Sequence, residues 1–241
     1  MKNSSVIVLM GIALSLPLTA CQHRPVPTAT LYDEPSRFVR IEVTPSVGGG
    51  HSHPATITTE EMIEILSGVK IKEPPRLIAA LSLESSPEES RPRPAFTEAE
   101  IRLFAPLLVE GLRKAKAEEI VTFGQATQRS GLLEKITSGG MVVTSGGMFI
   151  DGDELHLILG NHRSPTHSAP DPGVGATLDG RSAPLQPIAP QQTALYFEPA
   201  TAVAPTREGL LSSLFRPNRQ EIVVLFKHLR NATSNGGDAP H

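Results

Sequence analysis

Residues 97–125, TEAEIRLFAPLLVEGLRKAKAEEIVTFGQ, contain the change of hydrophobic period that decides the fold. In the first part, the apolar residues that recur at helical spacing are Ile101, Phe104, Ala105, Leu108, Leu112 and Ala115. Thr97 and Glu100 have the spacing of a capping box, which marks the start of a helix. From Glu119 to Gln125 the apolar period shortens to two, the period of a strand. The stretch therefore predicts a capped amphipathic helix that leads into a strand.

Further strand patterns lie on both sides of this stretch. They cover residues 37–43, 140–144, 147–150, 154–159, 194–198 and 221–226. Asp151-Gly152 is a hairpin signal, and Thr58 with Glu61 forms a second capping box before a short amphipathic helix. A third, short helix is predicted near 208–215. This order predicts an α+β fold, a largely antiparallel β-sheet with two or three helices packed on one face.

The distribution of proline predicts the domain boundaries. Pro25, Pro27 and Pro35 lie among small and polar residues, so residues 21–36 are expected to consist of Cys21 and an extended, proline-rich tether that follows it. Residues 37–230 are expected to form a single α+β domain, with irregular insertions near 84–95 and 164–192 and a disordered tail at 231–241. About 200 residues suffice to bury the core of one domain.

The first residues have the pattern of an export signal. Lys2 precedes the apolar run 6–16, which is shorter than the ~20 residues that span a bilayer. Residues 1–20 are therefore predicted to be a cleaved signal peptide. The following Leu18-Thr19-Ala20-Cys21 resembles the lipobox of bacterial lipoproteins, in which the cysteine carries the lipid. The resemblance implies that Cys21, the only cysteine of the chain, is the lipidation site.

The lipobox implies a location for the protein. Several acyl chains, palmitate among them, would hold it stably on a membrane, and no downstream stretch is long enough to be a transmembrane helix of the mature protein. In lipoproteins of bacteria with two membranes, Asp after the cysteine favours the inner membrane. Gln22 stands at that place here, which implies the outer membrane, with the domain facing the periplasm. The predicted partners are the membrane, through the lipid anchor, and an envelope protein.

Composition excludes several classes of function. The net charge is −3, and the chain has no Trp and two Tyr. Such a chain offers neither a basic surface nor stacking rings for nucleic acid, so no nucleic-acid partner is expected. A single cysteine excludes a disulfide framework and cysteine-based metal sites.

Gly50-His51-Ser52-His53-Pro54 is the sharpest candidate for chemistry. Two histidines at i and i+2 can share a metal ion on one side of an extended segment. The segment resembles the His-Ser-His-Pro core of the JAMM zinc metallopeptidases, which implies that His51 and His53 bind zinc. That family also has a Ser and an Asp downstream and a catalytic Glu upstream, which this sequence only loosely approximates. His162 or His167 could add a ligand, whereas His156 faces away from the leucines beside it.

Three functions follow from these observations. The leading hypothesis is a lipid-anchored cell-envelope protein with a non-enzymatic binding or assembly role and no cofactor. The alternative is a metal-binding periplasmic protein or metal-dependent hydrolase that uses His51 and His53. A third possibility is ligand capture between the sheet and the helix that starts at Thr97. The repeated phrases at 137–141 and 144–148, TSGGM, predict turns or bulges between strands and no catalytic serine.

Overall fold

An antiparallel sheet of six strands is the centre of the fold. The computed structural model describes residues 25–72, 91–128, 141–166, 180–189, 193–205 and 220–229. The strands are β1 (Val26–Glu34), β2 (Arg37–Val43), β3 (Val69–Lys72), β4 (Arg93–Pro94), β5 (Ile120–Gln128), β6 (Met141–Asp151), β7 (Glu154–Pro165), β8 (Ala194–Phe197) and β9 (Glu221–Leu225). The helices are α1 (Thr59–Gly68) and α2 (Glu98–Lys114), and Ala200–Ala202 forms a 3₁₀ turn.

The large sheet has the order β1-β2-β5-β6-β7-β9, and a small sheet has the order β4-β3-β8. All of these neighbours are antiparallel. Both helices share one buried apolar cluster with the same face of the large sheet. The predicted α+β fold with a largely antiparallel sheet is therefore confirmed. In the described residues there is no helix whose length and hydropathy would suit a membrane span.

Helix α2 begins where its capping box predicts. The Glu100 amide donates to Thr97 Oγ1 at 3.3 Å, and the Thr97 amide donates to Glu100 Oε2 at 2.7 Å. Thr58 and Glu61 cap α1 in the same way. The helix buries Phe104, Leu108 and Leu112 against the sheet. Each large apolar side chain buried in this way contributes roughly 1.5–3 kcal/mol.

The domain begins earlier than the sequence predicts. Residues 26–34, expected in the tether, form β1, which pairs with β2 from Val26↔Val43 to Glu34↔Arg37. The proline content of this segment indicates a tether, but β1 is an edge strand, and an edge strand tolerates residues that lack an amide hydrogen. Leu31 of β1 packs against the main core. The tether prediction is therefore wrong for residues 26–36.

The central hairpin is also longer than predicted. The expected strands 140–144 and 147–150 are one strand, β6, because Gly146 and Gly147 form no turn and pair with Phe123 and Thr122 of β5 in regular register. The register between β6 and β7 is irregular just before them, between Val143 and Gly146. At Gly146 an added Cβ would lie 2.2 Å from the Ile158 carbonyl oxygen, so only glycine permits this approach of β6 and β7. Strand β7 runs on to Pro165, so the insertion predicted from 164 starts too early. The Asp151-Gly152 hairpin turn is confirmed.

Segment 180–189, within that predicted insertion, covers the sheet face opposite the helices. The side chain of buried Asn161 makes two hydrogen bonds to this segment, both at 2.8 Å. Its Nδ2 donates to the Gln186 carbonyl, and its Oδ1 accepts from the backbone amide of Ile188. In the other predicted insertion, at 84–95, residues 93–94 form β4 and pair with β3. The predicted signal peptide, Cys21, the repeat 137–140, the helix near 208–215 and the tail at 231–241 lie outside the described residues, as does His167.

Candidate functional site

The predicted metal-binding loop lies against the β6–β7 hairpin. The amides of Gly50 and His51 both donate to the Ala117 carbonyl at 2.9 Å, and the Ser52 amide donates to the Ile150 carbonyl at 2.7 Å. His51 is only 6% exposed. The loop is therefore held by backbone hydrogen bonds on both of its sides.

The three polar side chains of this loop all contact the hairpin. The Gly152 amide donates to Ser52 Oγ at 2.8 Å, and the Ile150 amide donates to His53 Nε2 at 3.1 Å. His51 Nδ1 lies 3.3 Å from Asp151 Oδ1. We call residues 50–54 the hairpin clamp, because each of these contacts holds the Asp151-Gly152 turn in place.

The geometry of the hairpin clamp favours a structural role for its histidines. His53 Nε2 accepts a backbone hydrogen bond, so that lone pair is engaged. Burial, together with the neighbouring His51, lowers the pKa of His53 and keeps its ring neutral. His51 Nε2 and His53 Nδ1 are buried without a hydrogen bond to the described residues. Across the described ranges no group of three or more His, Cys, Asp or Glu side chains could hold a metal ion.

The other histidines lie in separate places. His156 does face away from the leucines, as predicted, and its Nδ1 lies 2.8 Å from Glu221 Oε1 on β9. The His156 ring stacks on Phe149 with centroids 4.5 Å apart, and the His51 ring contacts Phe149 at 4.2 Å with the two planes tilted by 37°. His162 Nε2 lies 3.2 Å from the Ala95 carbonyl. The structure therefore brings His51 and His156 to one face of the sheet and leaves His162 beside α2.

An open cavity of about 560 Å³ lies at the start of α2. Its walls come from the end of α1, the small sheet, the first turn of α2 and the far end of β7. The described lining residues are Ser67, Lys70, Ile71, Arg93, Pro94, Phe96, Thr97, Glu98, Ile101, His162 and Arg163. A cavity of this size falls in the range of roughly 300–1,000 Å³ that small-molecule sites occupy. We call it the α2 cavity.

Three cations from three strands line the α2 cavity. They are Lys70 of β3, Arg93 of β4 and Arg163 of β7. None of them forms an ion pair with a carboxylate in the described part of the chain. Glu98 is the one carboxylate among the described lining residues, and it pairs with Arg102 at 3.0 Å. The cavity therefore has an excess of positive charge.

Arg163 has an unusual backbone conformation. Its φ of 47° lies in the left-handed region, which costs a residue with a Cβ about 1–2 kcal/mol. The Arg163 amide donates to Thr144 Oγ1 at 3.2 Å, where the register between β6 and β7 is irregular. Non-glycine residues in such conformations are concentrated at functional sites. The bulge directs this part of β7 to the α2 cavity.

Sequence reasoning missed the cationic residues of this cavity, although it considered a ligand site beside the helix that starts at Thr97. Lys70 alternates with buried Val69 and Ile71 as any strand residue would, and Arg93 lies in a proline-rich stretch. The pairs Lys70↔Pro94 and Ile71↔Arg93 bring the two together. No local signal in the sequence announces that pairing.

Comparison with known proteins adds no further constraint on the site. The chain matches no protein-family model, no curated protein and no solved structure. The candidate site therefore depends on its own geometry and charge.

Proposed function

We propose that this chain is a lipid-anchored cell-envelope protein with a non-enzymatic binding role, and that the α2 cavity is its binding site. The observation that carries the proposal is the open cavity of about 560 Å³ whose cations have no ion-pair partner among the described residues. The proposed location is the periplasmic face of the outer membrane, as the lipobox-like residues 18–21 and Gln22 imply.

The start of β1 at Val26 supports a short connection between the lipid and the domain. Only residues 22–25 separate Cys21 from the first strand. An extended chain spans at most roughly 3.3–3.6 Å per residue, so these residues reach about 14 Å. The proposal therefore places the folded domain close to the membrane surface, where an envelope protein would meet membrane-bound partners.

The chemistry of the α2 cavity favours binding over catalysis. Thr97 Oγ1 accepts from the Glu100 amide and donates to Glu100 Oε2 at 2.9 Å, so this hydroxyl is engaged in the helix cap. His162 Nε2 faces a carbonyl oxygen and therefore acts as a donor there. A nucleophile needs a base within hydrogen-bond reach, and the described lining residues supply no such pair. They supply fixed positive charge and an apolar wall.

The anchor is tested by Cys21→Ser in the full chain. We expect the variant to leave the membrane fraction or to stall before maturation, and mass spectrometry of the wild type to show an acylated Cys21. The double variant Cys21→Ser/Thr30→Cys is the control, because it restores one thiol outside the lipobox at an exposed position. Retention of Cys21→Ser in membranes washed at high salt would show that the anchor is absent.

The binding role is tested by photo-crosslinking in intact envelopes. A benzophenone amino acid at Ser67, which lines the α2 cavity, is compared with one at Glu64, which is exposed on the same helix outside it. We expect a discrete adduct at position 67 only, detected by the mass of the purified protein. Absence of adducts, or equal labelling at both positions, would contradict a binding function of the cavity.

A further inference from the structure

We infer that the α2 cavity binds an anion, a phosphate or a carboxylate, that carries an apolar group. The inference rests on the proposed binding function and adds the chemical class of the ligand. It follows from three observations: the cations without an ion-pair partner among the described residues, the position of the nearest described carboxylate, and the apolar wall beside the cations.

The charge of the α2 cavity favours an anion from outside the described residues. Lys70 Nζ donates to the Ser67 carbonyl at 3.0 Å, which leaves two of its three protons for a ligand. Arg93 and Arg163 are exposed and form no ion pair within the described ranges. Guanidinium groups bind phosphate and carboxylate in a two-pronged geometry, which makes arginine pairs suitable for such ligands. Like charges gathered without a counter-ion repel one another, and a bound anion removes that repulsion.

The carboxylates near the cavity do not neutralise it. Glu98 forms its ion pair with Arg102 on the outer side of α2, and Glu100 is engaged by Thr97 in the cap. These two acidic residues also offset the positive end of the helix dipole in the first turn. The side-chain cations, and not the helix terminus, therefore provide the positive potential.

The apolar wall indicates that the ligand is more than a bare anion. Phe96 is 2% exposed and forms the wall with Ile71, Pro94 and Ile101. The volume of about 560 Å³ leaves room beyond an anionic group. A ligand that places its anion on the cations and its apolar part against Phe96 would use both halves of the surface. This division matches the general composition of small-molecule sites, where a few polar groups orient an otherwise apolar contact.

The test is calorimetric titration of the full chain in a non-ionic detergent. Phenyl phosphate has both features, glycerol 3-phosphate presents a lipid headgroup without an apolar group, and benzyl alcohol has the ring without the charge. We expect phenyl phosphate to bind at one site, glycerol 3-phosphate to bind at least threefold more weakly, and benzyl alcohol not to bind. Binding should weaken as the salt concentration rises, because the contacts are partly exposed.

The charge requirement is tested by the double variant Arg93→Gln/Arg163→Gln. A hydrogen bond to a charged group contributes enough that we expect at least a tenfold loss of phenyl phosphate affinity. The matched control is Arg113→Gln/Lys116→Gln, which removes two exposed charges near the other end of α2 and should leave the affinity unchanged. Equal losses in both variants would mean that net charge, and not the cavity, attracts the anion, and would overturn the inference.

Three other outcomes would also overturn it. If phenyl phosphate does not bind the wild type, or if benzyl alcohol binds as tightly as phenyl phosphate, the cavity does not select an anion. If glycerol 3-phosphate binds as tightly as phenyl phosphate, the apolar group of the ligand is not needed for binding, and the result indicates a lipid headgroup. None of these results affects membrane release by Cys21→Ser or the adduct at position 67, so failure of the ligand class is distinct from failure of the proposed function.

Discussion

The hairpin clamp and the α2 cavity both gather polar side chains from distant parts of the chain, but they use them differently. In the clamp, Ser52 and His53 accept backbone amide protons of the β6–β7 hairpin, and His51 contacts Asp151. In the cavity, Arg93 and Arg163 have exposed side chains and no ion-pair partner in the described residues. The polar groups of the clamp stabilise the fold, whereas the charged groups of the cavity are accessible to a ligand. The geometry of the conspicuous motif therefore favours a structural role, and the inconspicuous cations are the better candidate for a binding site.

The largest expected effect is on the clamp, in His53→Ala. The substitution removes the acceptor of the Ile150 amide and leaves a buried donor unsatisfied, which costs about 1–3 kcal/mol. We expect the free energy of unfolding to fall by about that amount in urea denaturation, with phenyl phosphate affinity unchanged. His53→Gln is the control, since its amide oxygen can take the place of Nε2. Loss of ligand binding in a folded His53→Ala protein would show that clamp and cavity are not independent.

The next prediction concerns pH. Burial lowers the pKa of His53 from 6.5, so the unfolded chain takes up a proton at a higher pH than the folded one. His51 disfavours the charged ring and Asp151 favours it, but burial dominates. The contribution of His53 to stability is therefore complete above pH 6.5 and declines as the pH falls below it.

The measurement is urea denaturation of wild type and His53→Gln between pH 8 and pH 5, roughly one to two units on either side of the reference value. We expect the wild type to lose more stability on acidification than the variant, because glutamine does not titrate. Parallel curves for the two proteins would contradict a neutral, buried His53. The ligand-free α2 cavity should contribute nothing to this difference.

How much of this could be predicted from the sequence depends on the distance over which each feature is encoded. The capping boxes at Thr58 and Thr97 and the Asp151-Gly152 turn are local, and all three are confirmed. Strand β1 was missed because its identity depends on pairing with β2, which local proline content obscures. Arg163 reaches the cavity only through the irregular register of β6 and β7. The site depends on long-range pairing, and the sequence contains no local signal of it.

A smaller effect is expected for Arg163→Gly, which should raise the free energy of unfolding and lower the affinity for phenyl phosphate. Glycine adopts a φ of 47° without a Cβ clash, and we expect a gain in unfolding free energy of about 0.5–1 kcal/mol after the extra entropy of the unfolded glycine is counted. Phenyl phosphate affinity should fall severalfold because one cation is lost. Arg163→Gln is the control, since it removes the charge and keeps the Cβ. A stability gain in Arg163→Gln equal to that in Arg163→Gly would assign the cost to charge repulsion and not to the backbone.

The smallest expected effect on stability is that of Arg93→Gln alone. Arg93 is exposed, lies at the start of the two-residue strand β4, and loses no ion pair with the described residues, so its unfolding free energy should stay within about 0.5 kcal/mol of the wild type. Phenyl phosphate affinity should nevertheless fall, because the same side chain lines the proposed anion site. Arg93→Gln is therefore expected to lower ligand affinity without lowering stability, whereas His53→Ala is expected to lower stability without lowering ligand affinity. If Arg93→Gln instead destabilised the fold and left phenyl phosphate affinity unchanged, Arg93 would have a structural role and the assignment of ligand binding to the α2 cavity would be wrong.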